Sequence, residues 1–398
     1  MKILMVNKFL FPKGGAETYM LKLGNHLAAL GNEVEYFGMD SEDRCVSNRV
    51  QSYTDNVDFR KTSAIKKLKY SFKSIYSVEA RQKISRVLDD FKPDIVHLNN
   101  INFQLTPSII YEIKKRNIPI VQTVHDVQIA CPNHKMFIEE KGKVCSECLN
   151  GNYTHCIKNK CVHSSMLKSI LACAESYIYH HKDTYNLVDR YICPSLFIAD
   201  MIIKGGVDRK KTVVMHNYCE SPGNIPKEND KKYVLYFGRL SIEKGIKTLV
   251  NAGKELENIN FVFAGTGPLE GICKNIKNIT AVGFKSGNEL KELISNACFC
   301  VCPSEWYENC PMTVVESLAL GTPVIVSDLG GAKELISNGK TGLIFKAGDK
   351  DALKEAITHL YNDEEALKKM SAECIRQSNN TIERYTEKLC DIYSQLIS

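Results

Sequence analysis

Two carboxylates, Glu308 and Glu316, stand with seven residues between them in the run PSEWYENCPMTVVESLALGTPVIVSDLGGAKELI. Glu308 is predicted to lie in a loop after a strand at Cys298–Val301, and Glu316 in the first turn of the helix that follows. Thr313-x-x-Glu316 has the form of a capping box, which would give Glu316 a purely structural task. Glu308 would then be an ordinary loop acid. The same stretch places Pro311 and Thr313 at a helix N-terminus, where anions bind, and carboxylates nearby can grip sugar hydroxyls. A capping role does not exclude this second one.

Cations stand upstream. The strand YVLYF runs into GRLSIEKGIKTLV, with Gly238 and Arg239 ending the strand and Lys244 five residues beyond Arg239. Arg by forked hydrogen bonds and Lys as a point charge suit a diphosphate leaving group; the alternative is two exposed bases near a turn. The next strand ends in AGTGP, where Gly265 and Gly267 allow close backbone approach. At the other end of the chain, VNKFLFPKGGAETYMLKL sets Gly14 and Gly15 before a helix, so that backbone N–H groups can approach a phosphate. It is not G-x-G-x-x-G, which disfavours nicotinamide or flavin binding. By itself the glycine pair is equally readable as a plain turn.

The chain has 16 cysteines, and most sit singly in apolar strands, as Cys298, Cys300 and Cys302 do, where they read as packed thiols. Five crowd together: Cys131, Cys145, Cys148, Cys156 and Cys161. Cys145-x-x-Cys148 and Cys156-x4-Cys161 have the spacing of a tetrahedral thiolate site for a structural zinc, with His134, His155 and His163 as spare ligands. Free loop thiols, or a labile disulfide, are the competing readings.

These residues need a frame, and the pattern supplies one. At 398 residues the chain is too long for one ordinary core, and two α/β domains are expected. Strands are predicted at Ile3–Val6, Val34–Phe37, Ile95–Leu98, Ile120–Val124, Arg190–Cys193 and Thr212–Met215, with helices at Ala16–Leu30, Ile65–Phe91, Pro107–Lys115 and Ser165–Tyr185. This is the rhythm of a parallel sheet covered on both faces. A linker is expected within NYCESPGNIPKENDKK. A second series follows at Tyr233–Phe237, Phe261–Ala264, Thr280–Val282, Cys298–Val301, Pro323–Val326 and Gly342–Phe345. The domains expected are 1–216, with a Cys-rich insertion at 131–161 and a closing helix at 381–398, and 217–380. The only Asp-x-Asp, Asp349–Asp351, reads as a helix start rather than a Mn²⁺ site.

No run reaches the roughly 18 apolar residues that cross a bilayer, and MKILMVNKFL reads as a first strand, so a cytoplasmic protein is expected. Between Arg60 and Arg86 there are nine Lys or Arg and one acid, Glu79, with Ile65, Leu68, Phe72, Ile75 and Tyr76 on one helical face. A basic amphipathic helix over 60–86 suits an anionic membrane surface; packing on its own domain is the alternative. No recognition motif supports nucleic acid.

From KGGAET through HD, FGRLSIEKG, AGTGP, YENCPMTVVES and LGTPVIVSDLGGAKELI, the chain resembles the family-4 retaining glycosyltransferases of GT-B fold, in a branch that builds bacterial cell-surface polysaccharides. The resemblance spans essentially the whole chain. It implies two Rossmann-like domains facing across a cleft, with the last helix packing back on the first. It implies that Gly15 offers its N–H to a donor diphosphate, and that Arg239 and Lys244 stabilise that diphosphate as it leaves. Glu308 would hold the transferred sugar, with backbone groups of Asn309, Cys310, Pro311, Met312 and Thr313 near sugar and phosphate. Glu316 would bind the ribose, Phe284 would lie near the nucleobase, and His125 would approach the sugar from the first domain. Many relatives carry Gly-Phe-Gly where Asn309-Cys310-Pro311 stands here. The implied reaction is metal-independent transfer of a hexose from a nucleotide sugar, UDP being the commoner carrier, to a saccharide or polyprenyl-linked acceptor. An inert sugar-nucleotide-binding module and a nucleotide-sugar 2-epimerase share the architecture.

Overall fold

The computed structural model describes residues 1–55, 73–219, 232–378 and 380–397. These form two compact units. The first comprises Met1–Ile138, Cys145–Met215 and Glu383–Ser398, and the second Glu139–Val144 and His216–Ile382.

In the first unit, strands β1 (Lys2–Val6), β2 (Glu33–Phe37), β3 (Ile95–Leu98), β4 (Ile120–Thr123), β5 (Arg190–Cys193) and β6 (Thr212–Val214) make one sheet in the order β2-β1-β3-β4-β5-β6. Every pairing is parallel. β3 and β4 are buried along their whole length, as a parallel sheet covered on both faces requires. The order reverses between β1 and β3, so the loops leaving their carboxyl ends diverge and open a crevice.

Helix α1 (Gly15–Ala29) follows β1, and α2 (Val78–Phe91) precedes β3. The expected single helix over Ile65–Phe91 is not continuous. Ser77 is extended and caps α2 by accepting from Ala80 N–H, so the helix starts afresh at Val78. Ala80, Ile84, Val87, Leu88 and Phe91 bury its apolar face. The remainder of that expectation, over 60–72, lies outside the described residues, as does nearly all of the expected linker. Helix α3 (Ile109–Lys114) leads to β4 and α4 (Met166–His181) to β5.

The second unit repeats the plan with β7 (Val234–Phe237), β8 (Phe261–Ala264), β9 (Ile279–Gly283), β10 (Phe299–Cys302), β11 (Val324–Ser327) and β12 (Gly342–Phe345). Their order is β9-β8-β7-β10-β11-β12, again all parallel, with its switch point between β7 and β10. Helices α5 (Ile246–Lys254) and α6 (Lys350–Tyr361) share one core face with Phe261, Phe263 and Phe299; α7 (Met312–Ala319) contributes Val314 to the other. Asp349 caps α6 by accepting from Ala352 N–H at 3.0 Å.

The last helix, α8 (Ile382–Ile397), is amphipathic, and its buried Tyr385, Leu389 and Tyr393 lie within the first unit from Glu383 onward. Tyr385 and Tyr19 share a hydrogen bond at 2.7 Å, Tyr19 meets Thr123 at 3.2 Å, Thr123 meets His97 Nε2 at 2.7 Å, and His97 Nδ1 meets the Tyr393 hydroxyl. Five side chains thereby tie α8 to α1, β3 and β4.

Candidate active site

The switch point of the second unit gathers charge. The loop leaving β7 turns through Ser241 into Gly245, whose φ of +69° and whose place against Pro303 exclude a side chain: a Cβ there would lie 1.8 Å from the Pro303 carbonyl oxygen. That contact pins the loop after β7 to the loop after β10. Lys244 Nζ consequently reaches Glu308 Oε1 at 2.6 Å, and Ser304 Oγ donates to the same oxygen at 2.6 Å. The ammonium also sits 5.1 Å from the centre of the Trp306 ring. Glu308 is 5% exposed. Burial alone would raise its pKa, but the Lys244 charge and the bonds from Lys244 and Ser304 outweigh it and hold the carboxyl below its usual range. Burial would likewise depress Lys244, and Glu308 keeps it raised. Both shifts describe a formed ion pair.

Glycines close the far side. Gly330 has φ +63°, and a Cβ there would lie 2.3 Å from the Glu308 carbonyl oxygen, which accepts from Gly331 N–H at 2.7 Å. Ser304, Trp306, Gly245, Gly330 and Gly331 escaped the sequence reading as site residues. The signal available was SDLGG after β11, whose Gly-Gly pair at a strand end marks a close backbone approach.

Around this pair the remaining expected residues take definite places. Arg239 is exposed at the end of β7, and no hydrogen bond or ion pair among the described residues engages its guanidinium. Gly238 and Gly265 stack backbone on backbone: a Cβ on Gly265 would lie 1.9 Å from Gly238 O, and one on Gly267 2.3 Å from Leu240 O. Their first task is therefore to let two loops touch. Phe284 is 73% exposed. Cys310 is buried, with its carbonyl accepting from Asn217 Nδ2 at 3.0 Å and its sulfur from Asn217 N–H at 3.3 Å. Asn309 precedes it, half-buried.

The capping box at Thr313 does not form. α7 starts at Met312 with Pro311 as its N-cap, and Thr313 Oγ1 donates to Phe237 O at 3.3 Å. Glu316 thereby falls in the second turn, not the first, and is half-buried. Pro311 cannot cap by side chain, so the first N–H groups of α7, beside the end of β7, keep their capacity for an acceptor.

In the first unit, Gly14 is the extended N-cap of α1 and Gly15 its first residue, both exposed; nothing lies within 4 Å of a Cβ on Gly15. Glu17, in the first turn, is buried and accepts from Asn7 Nδ2 at 3.3 Å. His125 leaves β4 and meets Asn99 Oδ1 at 2.9 Å, with Tyr19 edge-on at 5.0 Å. Burial lowers its pKa to about 4, Asp126 opposing, so it is neutral near pH 7. A polar group not foreseen surrounds it: Lys8 Nζ donates to Asn102 Oδ1 at 2.7 Å, and Asn102 Nδ2 reaches Asp126 Oδ2 at 3.0 Å and His134 Nδ1 at 2.9 Å. His134 stacks on Phe103 at 4.8 Å, with its Nε2 buried and unpaired. It is thus engaged here and not among the thiols, where it was a spare ligand.

The thiols do converge. Cys131, Cys145, Cys148, Cys156 and Cys161, with His155, line one small cavity of about 10 Å³, and Cys156 hydrogen-bonds to Cys161. Burial pushes Cys131 up to about 11 and Cys148 up to about 12. As placed, no group of three or more His, Cys, Asp or Glu side chains among the described residues is arranged to hold a metal ion.

Residues 13–219 match the profile of Glycosyltransferase Family 4, and residues 220–377 that of Glycosyl transferases group 1. An uncharacterized 42.6 kDa protein in the cps region of Klebsiella pneumoniae is 24% identical over 84% of this chain and 87% of its own. An uncharacterized glycosyltransferase of Methanocaldococcus jannaschii is 30% identical over 45% of this chain and 52% of its own length. An alpha-D-kanosaminyltransferase of Streptomyces kanamyceticus is 26% identical over 42% and 47%. The chain thus matches about half the length of these last two relatives. Among solved structures, a sucrose-phosphate synthase of Thermosynechococcus elongatus superposes with a TM-score of 0.71 at 18% identity, covering 99% of this chain and 98% of its own. Anabaena HepE in complex with UDP does so at 0.70 and 15%, covering 99% and 100%. At such identities the likeness speaks for the fold, which is GT-B.

Proposed function

The chain belongs to Glycosyltransferase Family 4, and from that premise we propose that it moves a hexose from a nucleoside-diphosphate sugar, UDP favoured, to a saccharide or lipid-linked saccharide in surface polysaccharide synthesis, retaining the anomeric configuration. The buried Lys244–Glu308 pair at the switch point of the second unit carries this reading. Glycosyl transfer leaves negative charge on the diphosphate and positive charge on the sugar ring. Lys244 spends one of its three N–H bonds on Glu308 and keeps the others for phosphate oxygens. Arg239 offers a fork to the same diphosphate, and the N-terminus of α7 adds N–H groups beside it.

Glu308 accepts from Lys244 and Ser304 on Oε1, and we assign its Oε2 to a sugar hydroxyl. Glu316 receives the ribose and Phe284 the base. Neutral His125 and the Asn99–Asn102–Asp126 group present hydrogen-bonding atoms suited to a sugar in the first unit. These residues supply charge stabilisation on their own, so a metal-independent reaction is part of the proposal; each such preorganised donor is worth about 10²–10³ in rate.

The relatives support the class. One is named as a kanosaminyltransferase, one lies in a cps region, and HepE was solved with UDP. The test is incubation with labelled UDP-hexoses and a bacterial lipid extract. Label should move into lipid only when extract is present, with the product anomer matching the donor. Epimerised donor in the absence of extract would instead identify a 2-epimerase.

A lipid-linked acceptor calls for a membrane surface. No described helix is long and apolar enough to cross a bilayer. α4 does expose Met166, Leu167, Ile170, Tyr177 and Ile178, and between 151 and 182 the only acid, Glu175, is buried while Lys158, Lys160 and Lys168 are exposed. An apolar helix surface with a basic surround suits peripheral attachment to anionic lipid at the cytoplasmic face. The chain should float with anionic liposomes, and a Leu167→Ser/Ile170→Ser variant should stay at the bottom; equal flotation of the two would remove α4 from the account.

A further inference from the structure

The crowded thiols belong to no step of sugar transfer, yet the fold draws them together from three separate stretches. Cys131 follows the His125–Asp126 loop, Cys145 precedes and Cys148 lies within the short turn Glu147–Asn150, and Cys161 follows the short helix Thr154–Lys158, which itself carries Cys156. All of them, with Cys156, face one cavity of about 10 Å³, room for about one water-sized body and too small for an organic ligand. Cys148 is near enough to couple electrostatically with Cys131, Cys145 and Cys161 together.

Cys156 stands differently. Its backbone N–H reaches Cys148 and its side chain Cys161, so it bonds to two of the other sulfurs while lining the same cavity. Donors of this kind, bonded to ligand atoms, are what orient metal-bound ligands.

The segment's own apolar cluster is small. Its buried apolar cluster is Cys148, Tyr153, Cys156, Val162, Ala172 and Cys173, so half of it is cysteine. Its backbone is forced into the left-handed region at His134, Met136, Lys160, His163 and Ser164, each costing about 1–2 kcal/mol for a residue with a Cβ. Small bodies with so little core are usually held by disulfides or a metal.

We propose that Cys131, Cys145, Cys148 and Cys161 close around one zinc ion, with Cys156 as a hydrogen-bonding neighbour rather than a ligand. The cavity's size selects a single ion, and four sulfurs select a soft tetrahedral one. The thiols are not yet in coordinating positions, so the side chains turn inward as the ion enters. The ion fastens the stem of the His125–Asp126 loop, because Cys131 N–H donates to Val127 O at 2.8 Å.

Elemental analysis of the full chain, purified anaerobically from zinc-supplemented cells, tests this. Wild type, Cys156→Ser and Cys173→Ser should each hold about one zinc per chain, while Cys131→Ser and Cys148→Ser fall below about a tenth. Should the serine variants prove insoluble, cobalt(II) added to chelator-stripped wild type should saturate at about one equivalent with a thiolate-to-cobalt charge-transfer band. Zinc below about a tenth of an equivalent in wild type, with no such cobalt band, would overturn the site. Retention in Cys131→Ser with loss in Cys156→Ser would overturn the ligand set.

Discussion

Among single residues, Lys244 has the most consequential position. Its ammonium neutralises Glu308, and under the proposed function it also faces the diphosphate charge that develops during transfer. Lys244→Met should lower kcat about 10²–10³-fold. It should also destabilise by a few kcal/mol, since it strands a buried carboxylate, the loss being moderated because Lys244 is 26% exposed. The double variant Lys244→Met/Glu308→Leu separates the effects: thermal melting should recover while transfer does not. Arg239, Lys244, Glu308 and Glu316 could be singled out in the sequence as candidates because chemistry-bearing types stand at fixed distances from strand ends, and the structure joins Lys244 to Glu308. Ser304 and the Asn102–Asp126–His134 group could not, because their partners are 4 to 32 residues away and only folding brings them together. The Thr313 cap failed for a local reason: Pro311 fixes the helix start one residue after itself.

At the level of elements, the strands of the two sheets could be read from short apolar runs bounded by Gly, Pro and Asn; β3, β4, β7, β10 and β11, buried throughout, have no polar face to dilute the signal. The expected helix over 65–91 is broken at Ser77, which interrupts an otherwise continuous apolar stripe and caps a helix of its own from Val78. Turn glycines carry a prediction of their own. Gly330→Ala meets both a left-handed φ and the Glu308 backbone, so transfer activity should fall by at least about tenfold, with a lower melting temperature. The docking of α8 carries another. His97 is buried against Tyr393, and burial depresses its pKa to about 3. The folded pKa lies below the unfolded value, so the stability tied to neutral His97 is complete above about pH 6.5. It is lost as pH falls from there toward 3, at about 1.4 kcal/mol per unit. His125 and His134, both lowered to about 4 by burial, act with the same sign. Buried Glu175, raised to about 8, acts oppositely, being fully stabilising below its unfolded value and costly as pH rises toward 8. Denaturant midpoints of wild type and His97→Asn should therefore converge between pH 7 and pH 5; a constant gap would show that His97 does not titrate with unfolding.

On the scale of the whole molecule, the chain consists of two parallel-sheet units, and each brings ligand-competent residues to the carboxyl ends of its strands at a switch point. The Lys244–Glu308 pair and exposed Arg239 lie in the second unit, and His125 with the hydrogen-bonded Lys8, Asn102, Asp126 and His134 lies in the first. Two-domain organisation was legible from length and from the break in rhythm after residue 216. The surface of α4 was not, because its apolar residues read equally as core until burial is known. The central claim is that the second unit binds a nucleoside diphosphate through Arg239, Lys244 and Glu316. The most direct test is the shift in melting temperature with UDP, GDP and ADP, for wild type, Arg239→Ala and Glu316→Ala. At about 100 times its Kd a ligand adds roughly 2.7 kcal/mol. One diphosphate, UDP by this account, should raise the melting temperature of wild type and leave both variants unmoved. No shift with any of the three, or an undiminished shift in both variants, would contradict it.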